Sequence, residues 1–156
     1  MGIERTIYRH PSFLARRLQQ IAVGVYLEET DGFDLTPVQY GLLAVVRAEP
    51  GIDQVSAGDR IGLDRTTVAD IARRIAAKRW IRLTVDARDR RVRRLYLTAS
   101  GARLLRAVGP SVNRAQRRIL EPLSQQARRN FCAYVRQVLA HHNAATRVPK
   151  KKKKKK

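Results

Sequence analysis

Most apolar residues of the chain recur at helical spacing, and one short stretch alternates instead. Leu14, Leu18, Ile21 and Val25 follow one another at offsets of four, three and four, with Phe13 beside them. This predicts an amphipathic first helix, capped by Ser12 and ending near Glu29 before the turn residues Asp31 and Gly32. A second helix has the strongest start signal in the chain. Thr36 is its cap, Pro37 takes the first helical position, Gln39 completes a capping box, and Leu35 with Tyr40 forms a hydrophobic staple. Leu42, Leu43, Val45 and Val46 crowd more than one face, so this helix is expected to be deeply buried, with Pro50 and Gly51 ending the segment. Asp53 caps a short third helix through Ile61, and Gly62 supplies the left-handed residue that closes it.

Only Gly62 and Leu63 then precede the next cap, Asp64, which can accept the backbone N–H of Thr66 or Thr67 while Leu63 and Val68 pack as a staple. A fourth helix therefore starts at Arg65. Val68, Ile71 and Ile75 share its buried face, leaving Arg65, Thr66, Ala69, Asp70 and Arg73 outward. After Trp80 the period falls to two: Leu83 and Val85, then Leu95 and Leu97, point one way. The intervening DARDRRVR is too charged to be buried, which predicts a hairpin with an arginine-rich tip. A fifth helix follows Thr98, with Leu105, Val108, Val112, Ala115 and Ile119 on one face and a kink or break expected near residues 106–109, because Pro110 removes a hydrogen bond. Glu121 and Pro122 mark a boundary, Leu123 and Ser124 a staple and cap, and a sixth helix carries Phe131, Val135, Val138 and Leu139.

Two short-linked helices, the second with a polar and largely basic outer face, make a helix-turn-helix, and the charged hairpin after them makes a wing. The fold class is mainly α with a small β-hairpin wing, a winged helix-turn-helix with N- and C-terminal dimerisation helices. A basic polar face alone also suits a merely solvated helix; the linked preceding helix and the wing favour duplex DNA. Neither terminal helix is needed to complete the DNA lobe, so their apolar stripes are expected to bury each other across a twofold. The expected organisation is a single unit over residues 12–149, with the DNA lobe at 35–98, dimerisation helices at 12–30 and 99–146, and a disordered lysine tail at 150–156.

Charge strengthens the DNA assignment. The 156-residue chain has a formal charge of +20, of which the seven lysines of the tail supply seven, leaving +13. Before the tail the basic residues are arginines apart from Lys78, and arginine suits forked contacts with phosphate and guanine. The tail either adds non-specific attraction to DNA by counterion release or is an appended sequence. The lone cysteine, Cys132, excludes an intramolecular disulfide framework, and its apolar neighbours predict a packed, inert thiol. Adjacent His141 and His142 diverge around a helix, and His10 stands alone, so neither a metal site nor a cofactor is expected. No signal-peptide core or spanning apolar run is present, and a soluble cytoplasmic protein is expected. G-x-S-x-G, H-E-x-x-H and P-loop motifs are all absent, which argues against an enzyme.

The runs LTPVQYGLLAVV, GLDRTTVADIARRI and DARDRRVRRLYLTASGARLL resemble the MarR family of bacterial transcription regulators. The most specific part is the wing spacing Asp86, Asp89, Arg91, Leu95, Leu97, Thr98 and Gly101. The resemblance spans about residues 12–146 and implies a homodimer that binds a pseudo-palindromic operator and is commonly released by a small, often aromatic ligand. By position it places Arg65, Thr66, Thr67, Asp70, Arg73 and Arg74 towards the major groove, and Arg88 and Arg90 near the wing tip towards the minor groove. Arg91 belongs to the same DNA-facing set, although with Asp89 it also forms a pair expected to shape the hairpin. Asp70 is unfavourable near phosphates unless it accepts from cytosine or pairs with Arg73 or Arg74, and Arg79 stands where relatives commonly have glycine.

For the effector, an aromatic acid needs a cation, an apolar wall and a hydroxyl partner, which selects His10, Arg16, Arg17 and Tyr40. A coenzyme A thioester would suit the arginines equally, and the alternative for Arg16 and Arg17 is a pair of plain exposed residues whose stems lie on the helix. The expected function is a ligand-released repressor; the alternative is a non-specific architectural DNA-binding protein without an effector.

Overall fold

The structure, a computed structural model, describes residues 9–142. In chain order the elements are α1 (Pro11–Glu29), α2 (Pro37–Ala48), α3 (Gln54–Ile61), α4 (Arg65–Ala77), β1 (Ile81–Val85), β2 (Arg93–Leu97), α5 (Ala99–Ile119) and α6 (Gln125–His142). The lysine tail and most of the N-terminal arm lie outside the described residues.

Local capping chemistry sets most of these boundaries. The Thr36 hydroxyl accepts from the Gln39 N–H while the Gln39 side chain accepts from the Thr36 N–H, closing the capping box of α2. Asp53 and Asp64 cap α3 and α4 through paired backbone N–H bonds, and Gly62 closes α3 in the left-handed region at φ 71°. Thr98 accepts from the Gly101 N–H at the start of α5. The start of α1 differs from expectation: the helix begins at Pro11, with His10 as an uncapped N-cap, so Ser12 lies inside its first turn. Proline preset for the helical φ starts the helix without a side-chain cap.

One core joins α2, α3, α4, the wing and the inner face of α5. Leu42, Leu43, Val46, Val68, Ala72, Ile75, Leu95 and Val108 are wholly buried in it. The strands pair antiparallel with Ile81 opposite Leu97, Leu83 opposite Leu95 and Val85 opposite Arg93. Ile81 and Leu95 carry the buried end of that face, while Val85 projects beyond the core and is half exposed. Residues 51–53 add a third edge: Gly51 N–H donates to Leu95 O at 2.8 Å and Leu95 N–H donates to Ile52 O at 2.9 Å. The wing is thereby tied to the turn preceding α3.

α5 runs uninterrupted through Pro110, so the expected break does not occur. The carbonyl freed by the proline is that of Arg106, an exposed residue that water can satisfy. α1 packs along α5, and its C-terminal end is pinned there by ion pairs: Glu29 accepts from Arg114 at 2.9 Å and Arg118 at 2.8 Å, and Glu28 from Arg118 at 2.9 Å. The face of α1 that packs within the chain centres on Tyr26 and Thr30, not on the Leu14 to Val25 stripe. Leu14 and Ile21 stay 51% and 49% exposed. α6, capped by Ser124 through the Ala127 N–H, buries none of its residues.

Candidate nucleic-acid interface

α4 presents its polar side outward because Val68, Ala72 and Ile75 anchor the opposite side in the core. Arg65, Thr66, Arg73 and Arg74 are exposed, as the sequence predicted. Thr67 is partly turned away: its hydroxyl donates to Asp64 Oδ2 at 2.6 Å, reinforcing the cap. That hydrogen bond, with those from the Thr67 and Thr66 backbone, holds the Asp64 carboxyl below its usual range. Asp70 accepts from Arg73 at 2.7 Å. Pairing offsets its repulsion towards phosphate while leaving Arg74 and Arg65 without an ion-pair partner among the described residues.

The wing is organised by Asp86. Its Oδ1 accepts from the backbone N–H groups of Arg88 and Asp89, and its Oδ2 accepts from Arg94 Nε at 2.7 Å. Arg94 also donates to the Gly51 carbonyl at 3.2 Å, linking the hairpin to the third edge. Chiefly through the Arg94 bond, the Asp86 carboxyl is held down to about 2. The expected Asp89–Arg91 pair is present at 3.3 Å but exposed, and Asp89 contributes mostly by accepting its own turn's Arg91 N–H. Asp86–Arg94 was missed. It follows from the register of the folded hairpin and from nothing closer in the chain: with Ile81 opposite Leu97, Asp86 falls opposite Val92 and Arg94 is its diagonal neighbour. With the turn closed by Asp86, the Arg88 and Arg90 side chains stand at the tip without an internal partner among the described residues.

Two contacts fix where α4 ends. Lys78 Nζ donates to the Asp34 carbonyl and carboxylate at 2.8 and 2.6 Å and lies 4.6 Å from the Trp80 ring centre. Arg79 adopts φ 59°, the left-handed conformation that a glycine would take without strain. The Thr98 hydroxyl donates towards the Arg79 and Trp80 carbonyls, and a Cβ on Gly101 would collide with the Trp80 carbonyl. The end of α4 is thus bonded directly to the start of α5.

The four effector candidates are not gathered into one site by any contact among the described residues. His10 and Arg16 are exposed, and Arg17 donates to Gln20 at 3.0 Å. Nine residues from Tyr26, Arg17 lies about 180° around the helix from it. Tyr40 lies beside Tyr26, ring centres 6.3 Å apart. Tyr26 was missed by the sequence reading. Only 4% exposed, its hydroxyl makes no well-formed hydrogen bond among the described residues, and burial, with Tyr40 alongside, pushes its phenol up to about 12 against a smaller lowering from the nearby Thr30 hydroxyl.

No helix among the described residues is long and apolar enough to cross a membrane, and no group of His, Cys, Asp or Glu among them could hold a metal ion. Cys132 is a free, partly exposed thiol.

Comparison with known proteins agrees with this geometry. The profile of the MarR family matches residues 33–92, from the approach to α2 to the wing. The chain is 30% identical over 106 residues to the transcriptional regulator HosA of Escherichia coli O157:H7, covering 68% of this chain and 78% of HosA. The PcaV transcriptional regulator of Streptomyces coelicolor, solved in complex with its natural ligand, superposes with a TM-score of 0.80 at 34% identity, covering 86% of this chain and 94% of PcaV. The Staphylococcus aureus MepR–DNA complex shares the fold, with a TM-score of 0.75 at 23% identity over 85% of this chain and 98% of that one. The chain belongs to the MarR family and is a transcription regulator, not an enzyme.

Proposed function

We propose that the protein is a homodimeric, cytoplasmic repressor that binds a pseudo-palindromic operator and is released by a small aromatic acid or related thioester. The observation that carries the dimer is the pair of apolar faces left uncovered at the chain's two ends. α6 exposes Tyr134, Val135, Val138 and Leu139, and α1 exposes Leu14, Ile21 and Leu27. Exposed apolar side chains in this number call for a partner, and a second copy supplies both faces at once. In this organisation residues 35–98 form the DNA lobe, and 12–30 with 99–146 form the dimer lobe. The twofold then sets two α4 helices at the spacing of operator half-sites, roughly 34 to 36 Å. Arg65, Thr66, Thr67, Asp70, Arg73 and Arg74 face the major groove, and Arg88, Arg90 and Arg91 serve the wing.

Effector release works through a population shift: a ligand between the lobes favours a spacing of the α4 helices that misses the half-sites. Tyr40 is the best supported member of the candidate set, because the neighbouring Tyr26 hydroxyl is buried with no well-formed hydrogen bond among the described residues and such a group favours a polar ligand atom or water. Arg16 supplies the charge for an acid, His10 a further hydrogen-bonding group, and Arg17 is the weakest member. Native mass spectrometry of the purified protein is expected to reveal a retained small acid. Selection from a randomised duplex pool tests the operator: a regulator is expected to prefer the selected sequence by on the order of a thousandfold or more over bulk DNA. Equal affinity for both would instead identify a non-specific architectural binder.

A further inference from the structure

The chain crosses between its terminal helices and the DNA lobe at two places: residues 30–36, from α1 to α2, and Thr98, from β2 to α5. Both crossings are bonded to the same three residues at the end of α4. At the first, Lys78 Nζ donates to the Asp34 carbonyl and carboxylate across 44 residues of chain. At the second, the Thr98 N–H donates to the Trp80 carbonyl at 3.0 Å, and its hydroxyl lies against the Arg79 and Trp80 carbonyls. Each crossing is also fixed on its far side. Glu29 is paired to α5, the buried Thr30 donates its hydroxyl to the Tyr26 carbonyl at 2.8 Å, and Thr98 caps α5. The end of α4 therefore sits where the two parts of the molecule meet.

The two attachments differ in kind. The acceptors that Thr98 uses are main-chain carbonyls, which other residues at 79 and 80 would also supply; the Asp34 attachment needs the Lys78 ammonium. The Asp34 side chain is 92% exposed and that of Lys78 30%, so the pair contributes little to stability. Its consequence is geometric. α4 has 13 residues, about 20 Å of helix, and a recognition helix meets base edges near its start, the end far from Lys78. A turn of the lobe by about 10° about these crossings carries Arg65 about 3.5 Å, roughly one base-pair step. We propose that Lys78, held to Asp34, is a positioning residue for operator binding: it fixes the angle between the DNA lobe and the terminal helices, and with it the separation of the two α4 helices. It acts through α4 and not on the DNA. This rests on the homodimer proposed above and deepens it.

Two variants test the joint. Lys78→Met keeps an unbranched stem beside Trp80 and removes the ammonium, and Asp34→Ala removes the carboxylate from an exposed position, so the fold is expected to survive both. A nitroxide on Arg73→Cys, in a Cys132→Ser background, reports the distance between the two α4 helices by pulsed electron spin resonance. The parent is expected to give one narrow distribution, and each variant a broadened or displaced one. Binding is then compared on the duplex the protein selects, on the same half-sites with one base pair inserted between them, and on a single half-site. The parent is expected to lose at least about tenfold on the inserted duplex and each variant less than about threefold, since a looser joint keeps the half-sites linked. All are expected to bind the single half-site equally. Distances and an insertion penalty equal to the parent's in both variants, with the dimer intact, overturn the joint alone. So does a loss on the single half-site as large as that on the selected duplex, which would make Lys78 a support for the fold of α4 itself. A parent that sediments as a monomer gives no distance and removes the homodimer and the joint together.

Discussion

The DNA lobe and the terminal helices are built from similar amounts of apolar sequence but treat it differently. Between Leu35 and Leu95 nearly every large aliphatic residue of α2 and α4 reaches the core, and Leu42, Leu43, Val46, Val68 and Ile75 are wholly buried. α6 carries Val138 and Leu139 at comparable helical spacing, yet they remain 59% and 57% exposed. The lobe closes its core with its own strands and helices and the inner face of α5. α6 and the outer face of α1 leave their apolar side chains uncovered within the chain. Stability in the first region is therefore a property of one chain, and in the second, on the homodimer proposal, a property of protein concentration.

Breaking the dimer face is expected to have the largest effect. Leu18→Asp combined with Val135→Asp should yield folded monomers by analytical ultracentrifugation, with operator affinity reduced about 10²- to 10⁴-fold as the two half-sites lose their linkage. Next comes the core. Leu42→Ala should lower unfolding free energy by about 2–5 kcal/mol in denaturant titrations, at any protein concentration. Arg90→Ala is expected to cost about 1–3 kcal/mol in operator binding with dimer mass and thermal stability unchanged; unaltered affinity would remove the tip from the DNA contacts.

Smaller effects sharpen the view of how the lobe is finished. Arg79→Gly should raise stability by about 0.5–1 kcal/mol, since glycine adopts the positive φ at the end of α4 without the penalty a Cβ brings. The wing should also respond to acid. The Asp86 carboxyl lies near 2 in the folded chain against an ordinary 3.8, so its folded value is depressed. Its contribution is present above about pH 4 and is lost as pH falls towards about 2. Amide shifts of Arg88 and Asp89 followed by NMR are expected to titrate in that window while α2 amides stay fixed. Asp86→Asn should abolish the transition.

Much of the lobe was legible because its signals are short-ranged. The Thr36–Gln39 box and the Asp53 and Asp64 caps satisfy N–H groups within three residues, so spacing alone locates them. The wing's alternation and arginine tip are equally local. One local signal is misread: Pro11, directly before Ser12, starts α1 as Pro37 starts α2, so Ser12 is not its cap. Across longer distances the reading weakened. Tyr26 was passed over because the Leu14 stripe is the more regular pattern, and only the position of α5 shows which face packs within the chain. Asp34 stayed unremarked because its partner Lys78 lies 44 residues further along the chain and meets it only once the lobe is packed.

By itself the sequence determined where helices start, where the period changes from helical to alternating, and that a polar arginine-bearing face follows a two-residue link. Those properties depend on backbone groups and side chains within a turn of one another. The tertiary structure alone decided which of two apolar faces α1 buries, that Asp86 and Arg94 close the wing, that residues 51–53 extend its sheet, and that Lys78 at the end of α4 meets Asp34. Such choices depend on which surfaces meet when loops close, and residues far apart in the chain carry no record of that meeting until the core between them is packed.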